Sequence, residues 1–478
     1  MALFAADPLE IPEIRIMVGQ YLGRPDLVRC LSVCRSWRDS FLPLVWSNIS
    51  IAPHQPRPTV EAFMQHGQFI KDLAYHTLIW RDYGSTLCRN LSTLHVYCNE
   101  DSSRFVISRY DRLQNLSING VLPCHYRHQH PIWKPPYSFQ NLSSLVLCKV
   151  NIEPEDAAHF WDMCTRLESL IIQYTSIVRP QDDSTTLARL QSLRLSTRSD
   201  DSEQDLDIIT RCPNLTSLHW EIWSQGIFHR TLGRSDLLAA QFANGAWPKL
   251  CELRLSNFIP TDAQLAQIIS GMHQVKVLNI PECEIGPLSY TVLRLRFQSI
   301  RELLVGLTST VVWPEAQEIL ASCQRLRIFR CRLTSQNILQ GQPWACENSL
   351  TCLIIGVIIP HDQDADHHQR NVFEKISRLT NLELFVLDHT GPVTQGVFLK
   401  LLVGKGLEQL TTLKKLKTLG FYDITQELME TEIQWMIENW TSLQNIDGRL
   451  SQGNQRKPLE MLQAAGIQFG SWHCASVQ

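Results

Sequence analysis

The chain lacks the sequence features typical of a zinc site, a nucleic-acid surface or a membrane span. It has 15 cysteines, but no two are spaced as Cys-x-x-Cys, the tight pairing from which structural zinc sites usually take their ligands. Lysine and arginine (44) do not outnumber aspartate and glutamate (47). No window approaches the roughly 18 uninterrupted apolar residues that a membrane helix needs. We therefore predict no bound metal, no nucleic-acid partner and no membrane partner.

Signals for secretion and for catalysis are also missing. The first residues contain acidic Asp7 and Glu10 and no basic stretch before an apolar core, which is not typical of a signal peptide. No Gly-rich phosphate loop, G-x-S-x-G elbow or H-E-x-x-H motif occurs. We expect a protein without catalytic residues or cofactor, located in the cytoplasm, the nucleus or both. Its cysteines are expected to be reduced and mostly buried as small hydrophobic residues.

Two histidine-rich stretches are the remaining metal candidates. Residues 124–130 read CHYRHQH, without the second cluster that would complete a zinc site. Residues 361–368 read HDQDADHH and contain D-x-D-x-D, the start of a calcium-binding loop. However, His367 stands where that loop needs glycine, and Phe373 stands where it needs a bidentate glutamate. We predict that neither stretch holds a metal.

The chain does contain a short sequence motif, here called the phrase, that is repeated through most of its length. It reads CTRLESLII from Cys164, CPNLTSLHW from Cys212 and CQRLRIFRC from Cys323, with the common form apolar-x-x-L-x-x-L-x-L. Most copies follow one another after about 22 to 26 residues, which lies within the period of leucine-rich repeats. The leading leucine position of the phrase falls at Leu91, Leu113, Leu142, Leu167, Leu190, Leu215, Leu250, Val275, Ile300, Leu326, Leu350, Leu382, Leu413 and Leu443.

Apolar residues precede many copies of the phrase at the spacing of a helix face. Ile319 and Leu320, for example, lie four and three residues before Cys323. The x-L-x-L segment that follows alternates as a half-buried strand does. Each unit is therefore predicted to be a helix followed by a strand. Neither element can bury its apolar face alone, so stacked copies must form one continuous core.

Residues 8–51 do not follow this repeat and predict three short helices. Ile14, Val18 and Leu22 recur every four residues and form one helix face, which Gly23 and the following Arg-Pro interrupt. Three short helices over about 45 residues make a core that is marginal alone, so we expect a partner to stabilise it. The second apolar series consists of Leu27, Leu31, Cys34 and Trp37, and the third of Phe41, Leu42 and Trp46.

This N-terminal segment resembles the F-box. The F-box pattern is a proline-led start, an apolar helix ending in Tyr-Leu, the run D-L-x-x-x-x-x-V-C-R-x-W, and a closing Leu-Trp. Only the closing pair departs from it, because Val45 stands where leucine is usual. The matching residues are Ile11-Pro12-Glu13-Ile14, Tyr21-Leu22, Asp26-Leu27, Val33-Cys34-Arg35, Trp37 and Val45-Trp46.

The repeats resemble the leucine-rich repeats of F-box and ribonuclease-inhibitor-type proteins. The cysteine-containing subtype is best matched by VKVLNIPECEI from Val275, whereas Val150 and Phe258 occupy the position of the usual Asn or Cys in other copies. The resemblance implies an α/β fold with a three-helix F-box and a ribonuclease-inhibitor-like solenoid, in which a curved parallel sheet carries outer helices. The expected boundaries are 7–52 for the F-box, 53–85 for a helical linker, 86–450 for the solenoid and 451–478 for a C-terminal cap.

The resemblance also implies a function. An F-box binds a Skp-type adaptor and, through it, cullin, so the chain is expected to be the non-catalytic substrate-recognition subunit of an SCF-type cullin–RING ubiquitin ligase. The alternatives are a leucine-rich-repeat scaffold that acts outside the ligase and a regulator of a small GTPase. The implied adaptor contacts are Pro12, Ile14, Leu22, Leu27, Leu31 and Trp37.

The protein target is expected on the open face of the strands, in the middle column of residues that alternate with the buried leucines. This column is mixed and slightly basic, which suits an acidic segment of a target. The predicted target contacts are Arg194, His219, Arg254, Asn279 and Arg330.

Overall fold

The computed structural model contains two compact units, Met1–Leu215 and Thr216–Gln478. The histidine-rich stretch 124–130 lies outside the described residues. The structure describes residues 8–52, 56–76, 83, 88–98, 112–120, 139–150, 152, 154–175, 185–198, 202–223, 234–305, 315–360, 364–388, 397–450 and 456–470.

The first unit begins with the predicted trio of helices: α1 (Pro12–Gly19), α2 (Arg24–Cys30) and α3 (Arg35–Ser47). Proline stands in the first turn of both α1 and α2, where its missing N–H costs no hydrogen bond. Where α1 meets α3, a Cβ added to Gly19 would lie 2.5 Å from Leu44 Cδ1, so only glycine permits this close approach. The small core of the trio consists of Leu27, Phe41 and Val45, with Leu22, Cys30, Leu31, Trp37, Leu44 and Trp46 packed against it.

Helix α3 runs directly into the first strand of a parallel sheet. Each strand of this sheet pairs in parallel with the next, and the side chains alternate between a buried and an open face. The strands are β1 (Asn48–Ile51), β2 (Asp72–His76), β3 (Thr93–Cys98), β4 (Asn115–Gly120), β5 (Ser144–Cys148), β6 (Ser169–Gln173) and β7 (Ser192–Arg198).

The sheet therefore begins at residue 48, upstream of the boundary expected at 86. The first two strands read NISI and DLAYH, which lack the repeat phrase, so the pattern search passed over them. Between them lie the helix Val60–His66 and the 3-10 turn Gly67–Phe69. The remaining helices of the first unit are Pro8–Glu10 (3-10), Ala157–Cys164 and Ser202–Thr210.

The second unit continues the same helix–strand scheme. All of its described strand pairs are parallel except that β15 runs antiparallel to the end of β13. Its strands are β8 (Ser217–Trp223), β9 (Glu252–Ser256), β10 (Val277–Ile280), β11 (Glu302–Val305), β12 (Ile328–Thr334), β13 (Cys352–Ile359), β14 (Leu384–Asp388), β15 (Val397–Phe398), β16 (Thr418–Gln426), β17 (Asn445–Leu450) and β18 (Gln468–Gly470).

The helices of the second unit alternate with these strands. Its tail, expected as a cap from residue 451, supplies the helix Arg456–Ala464 and then β18, which pairs with β17 as one more helix–strand unit. No described helix of either unit is long and apolar enough to cross a membrane. The other helices are Ser235–Ala243, Asp262–Gly271, Pro287–Arg294, Ala316–Ser322, Ser335–Gln340, Ala365–Ser377, Leu407–Thr412 (3-10) and Glu430–Asn439.

The burial of the leading leucine positions confirms the repeat that the sequence predicts. Every leading leucine position from Leu91 to Leu443 is buried, with at most 7% of its surface exposed. Cys164, Cys212 and Cys323 are buried as well, each at the turn between a helix and the strand after it. Burial raises the pKa of the Cys212 thiol to about 12, so this cysteine stays protonated and acts as a small hydrophobic residue.

Asparagines in the repeat phrase connect successive copies. Just before the leading leucine, Asn90 donates its side-chain amide to Gln68 O at 2.8 Å, and Asn214 donates to Ala188 O at 2.8 Å. Asn381 makes the same bond to Asn348 O, also at 2.8 Å. These amides satisfy carbonyls of the preceding copy, which explains why Asn-Leu-Ser/Thr recurs in the phrase.

Candidate functional site

The helix trio carries an unusual amount of exposed apolar surface. Tyr21 is 89% exposed, Met17 62% and Val33 60%, although a soluble surface rarely groups large apolar residues in this way. The segment involved is short, and its apolar residues come from α1, α2 and the turns that follow them. We call this set the module surface; it consists of Ile11, Ile16, Met17, Val18, Tyr21, Val28 and Val33.

The module surface follows from how α1 packs. Only Arg15 and Gly19 are buried in this helix, four residues apart on one side. Ile16, Met17 and Val18 are therefore turned away from α3 toward solvent. The helix has more apolar residues than its own unit covers, so one of its sides leaves apolar side chains open to solvent.

The six predicted adaptor contacts fall into two groups. Pro12 is exposed and Ile14 half-buried, both on α1. Leu27 is buried in the core of the trio, and the other three pack against that core. Whether any of the six touches an adaptor stays a prediction. The predicted contacts, which follow from the F-box resemblance, do not include the most exposed residues of the trio, Met17, Tyr21, Val28 and Val33.

The open face of the first unit carries mainly small or polar side chains. Its middle column runs from Ser50 on β1 to Arg194 on β7, and each residue lies opposite the next in register. None of the residues in this column or in the first column beside it is buried. The first column reads Asn48, Asp72, Thr93, Asn115, Ser144, Ser169 and Ser192, and the middle column reads Ser50, Ala74, His95, Ser117, Val146, Ile171 and Arg194.

Two ion pairs cross the open face of the second unit. Arg254 on β9 reaches Glu302 on β11, with 2.6 Å between Nη2 and Oε2. Arg330 on β12 reaches Asp388 on β14, and this pair is largely buried. Each pair spans the strand that lies between its partners, so it connects three strands at once.

Gly356 on the intervening β13 allows the backbone of Asp388 and the side chain of Arg332 to come close. A Cβ at this position would lie 2.6 Å from Asp388 O and 3.4 Å from Arg332 Nε. Burial lowers the pKa of Arg332, the Asp388 carboxylate opposes that effect, and Arg330 adds to it. Asp388 thus balances two neighbouring guanidinium groups.

An apolar cluster lies among these ion pairs, on the open face and apart from the main core. Leu304, Cys352, Ile354 and Val386 are all buried, and Ile328 and Leu384 pack against them. Burial raises the pKa of the Cys352 thiol to about 12, with Glu302 raising it further and Arg330 lowering it. The thiol therefore stays protonated and belongs to the apolar cluster rather than to a reactive site.

The five predicted target contacts all lie in the middle column, as the sequence predicted. His219, Arg254 and Asn279 follow one another in register on β8, β9 and β10 of the second unit. Arg194 is half-buried on β7 of the first unit. Arg254 and Arg330 are each paired with an acidic side chain, so the positive charge of these two arginines is balanced within the described part of the second unit. That these five residues bind a target stays a prediction.

Within the described residues, no group of three or more His, Cys, Asp or Glu side chains is placed to hold a metal ion. The described part of the second histidine-rich stretch begins a helix, Ala365–Ser377, rather than a calcium-binding loop. Phe373 is fully buried on that helix, and Asp366 pairs with Lys405 at 3.0 Å. These side chains serve packing and surface charge pairing.

Comparisons with known proteins match both parts of the chain. A family model described as F-box-like matches residues 12–52. No curated protein matches the sequence. A leucine-rich-repeat protein of Leptospira interrogans is 16% identical, with 87% of this chain and 99% of that one covered at a TM-score of 0.40.

Two further solved structures are similar at the same low level. An internalin of Listeria monocytogenes is 16% identical, with 80% and 87% of the two chains covered and a TM-score of 0.36. The yeast complex of Rad7 and Elc1 gives 14% identity, 96% and 92% coverage and a TM-score of 0.33. At such scores these likenesses carry no argument about function. Residues 12–52 thus match an F-box-like model, and most of the described residues after them form repeating helix–strand units.

Proposed function

We propose that the chain is the substrate-recognition subunit of an SCF-type cullin–RING ubiquitin ligase. The F-box-like helix trio binds a Skp-type adaptor and, through it, cullin, while the repeat units hold a protein target. The chain contributes no catalytic residue; its role is to bring the target to the enzymes of the complex. It acts in the cytoplasm, the nucleus or both.

The observation that supports this most is the module surface. It lies within the F-box-like match, and it leaves Met17, Tyr21 and Val33 more than half exposed. A helix trio with so small a core gains stability when a partner covers its apolar side. A plain helical cap on the repeats has no need for such a surface.

The test is a binding measurement between the purified full chain and a Skp-type adaptor. Changing Met17 and Tyr21 together to glutamate places two charges in the proposed interface, and we expect the dissociation constant to rise by about 100-fold or more. Both side chains are exposed in the free chain, so its thermal unfolding should hardly change. Isothermal titration calorimetry measures the first quantity and circular dichroism the second.

The matched control is Leu295→Glu in the second unit, where a leucine is 78% exposed outside the helix trio. It should leave adaptor affinity unaltered. The proposal fails when the unaltered chain does not bind the adaptor, or when the Met17/Tyr21 double variant binds it as tightly as before. Adaptor binding without any ubiquitination in a reconstituted ligase would instead favour a scaffold that acts outside the ligase.

A further inference from the structure

Arg15 is the one charged side chain of α1 that faces inward. It is 4% exposed and lies one turn before Gly19, on the side where α1 meets α3. Its Nε is shielded from solvent and has no hydrogen-bond partner. In the described part of the chain, no hydrogen bond or ion pair reaches the rest of its guanidinium group either.

The helix trio offers no acidic side chain in compensation. Glu10 and Glu13 are the nearest acids in sequence, and both are exposed without pairing with Arg15. Asp26 is already paired with Arg29 at 3.0 Å. A guanidinium group is always charged, and it is strongly disfavoured away from water unless a carboxylate or several acceptors surround it. The free chain therefore holds this charge in an unfavourable environment.

The residues around Arg15 belong to the module surface. Ile11 lies four residues before it and Val18 three residues after it, so both are its neighbours on the helix, and each is 42% exposed. A partner that covers these two side chains also excludes the remaining water from the guanidinium group. Any carboxylate of the partner at that point would interact with Arg15 in a medium of low dielectric constant, where the attraction is strong.

We propose that the Skp-type adaptor supplies an acidic side chain to Arg15, so that a charge left unpaired in the free chain is paired in the complex. This inference rests on the proposed function and adds the chemistry of one contact. The contact would also make binding at the module surface specific. An apolar partner without a correctly placed carboxylate would bury the guanidinium group with no negative charge to pair with it.

The decisive variant is Arg15→Leu in the full chain. Replacing a buried, unpaired charge by an apolar side chain should leave the melting temperature unchanged or raise it. Adaptor affinity should nevertheless fall by at least about ten-fold, mostly through faster dissociation, because the adaptor's carboxylate is then buried alone. A purely structural role of Arg15 cannot produce this combination. Arg15→Gln, which is also uncharged but polar, should show the same loss of affinity if the leucine variant folds poorly.

The acidic partner can be located by a double-mutant cycle. Aspartates and glutamates of the adaptor are changed singly to asparagine and glutamine, and one of these changes should weaken binding to the unaltered chain but not to Arg15→Leu. The inference is overturned if Arg15→Leu and Arg15→Gln bind the adaptor as tightly as the unaltered chain, a result that leaves the proposed function standing. Failure of the unaltered chain to bind the adaptor overturns both.

Discussion

The two units use the same repeat but present different open faces. In the first unit, the first and middle columns hold mostly serine, threonine and asparagine, and none of their residues is buried. In the second unit, the same columns hold a buried apolar cluster between two ion pairs that each cross three strands. The closed faces do not differ in this way, because both are lined with buried leucines.

This difference separates the contacts that both units share from the contacts that only the second unit has. Closed-face leucines and parallel backbone pairing are common to both units, and the first and middle columns of the first unit add no buried residue to them. The second unit has a small additional core there, stabilised by burial and by charge pairing. Two arginines of its open face are consequently paired with acids, whereas the open face of the first unit offers half-buried and exposed hydrogen-bonding side chains.

The largest effect is expected from Asp388→Ala. This change leaves Arg330 unpaired and removes the carboxylate that faces Arg332, so two neighbouring cations remain partly buried. Breaking a buried pair in this way costs about 3–5 kcal/mol. We expect hydrogen exchange of the amides in β12, β13 and β14 to accelerate accordingly, which mass spectrometry can follow strand by strand.

Asp72→Ala is the matched change on the open face of the first unit. Asp72 lies 3.8 Å from His95 Nε2, and both side chains are more than one third exposed, so the cost should stay below about 0.5 kcal/mol. Equal effects of the two substitutions would mean that the ion pairs of the second unit contribute no more than ordinary surface pairs.

The apolar part of the comparison is tested by Ile354→Ala. Ile354 is 5% exposed within the open-face cluster, and truncating it leaves a cavity beside Leu304 and Val386. Such a truncation costs about 2–4 kcal/mol, which local hydrogen exchange in β13 would register. The control is Val146→Ala in the middle column of the first unit, half-buried, with an expected cost of about 1 kcal/mol or less. An Ile354→Ala effect no larger than the control's would show that the cluster is not a second core.

The repeat could be predicted from the sequence, whereas the open-face cluster could not. The two differ in how far apart their defining residues lie along the chain. Closed-face burial repeats with a fixed period, so the leading leucines from Leu91 to Leu443 can be recognised one after another. Open-face contacts join neighbouring strands that are far apart in sequence. Arg330 and Asp388 are 58 residues apart, and nothing in a local window relates them.

The helix trio illustrates a second limit. Its spacing predicted three helices correctly, but spacing alone cannot say which apolar residues a short helix buries. Leu27 lies in the core and Val18 is 42% exposed, although both belong to apolar series of the predicted helices. Arg15 stands between Ile14 and Ile16 in the sequence of α1, and only the packing of α1 on α3 reveals that it is buried.

The helices of the two units also differ, in how their N-termini are capped. In the second unit, Asp262 accepts hydrogen bonds from Ser289 N and Leu288 N at 2.9 Å and from Ser289 Oγ at 2.6 Å, so it caps the helix Pro287–Arg294 from the preceding helix. In the first unit, the helix Ala157–Cys164 begins without a side-chain cap. Asp262→Asn should cost about 1–2 kcal/mol at neutral pH.

This cap should depend on pH in a defined direction. Burial raises the pKa of Asp262, but the hydrogen bonds from Ser289, Leu288 and Gly286 lower it more, so the pKa lies below its usual value. A carboxylate with a depressed pKa in the folded state stabilises above its unfolded pKa of about 3.9, and this contribution disappears as pH falls through the folded value. The difference between the unaltered chain and Asp262→Asn should therefore be constant from pH 7 to about 5 and shrink below about pH 4. Urea unfolding at several pH values checks this, and a difference that persists into strong acid would contradict it.

Apart from the control substitutions, the smallest effect is expected from Glu302→Gln, which sharpens the comparison within the second unit itself. The Arg254–Glu302 pair is more exposed than the Arg330–Asp388 pair, and glutamine keeps an acceptor for Arg254, so only the charge is lost. The free energy of unfolding should fall by about 0.5–1 kcal/mol. The loss should be smaller at high salt, because exposed charges are screened. Glu252→Gln, in the same column and without a described ion pair, serves as the control and should change little. A loss from Glu302→Gln as large as the loss from Asp388→Ala would contradict the view that the more exposed pair contributes less.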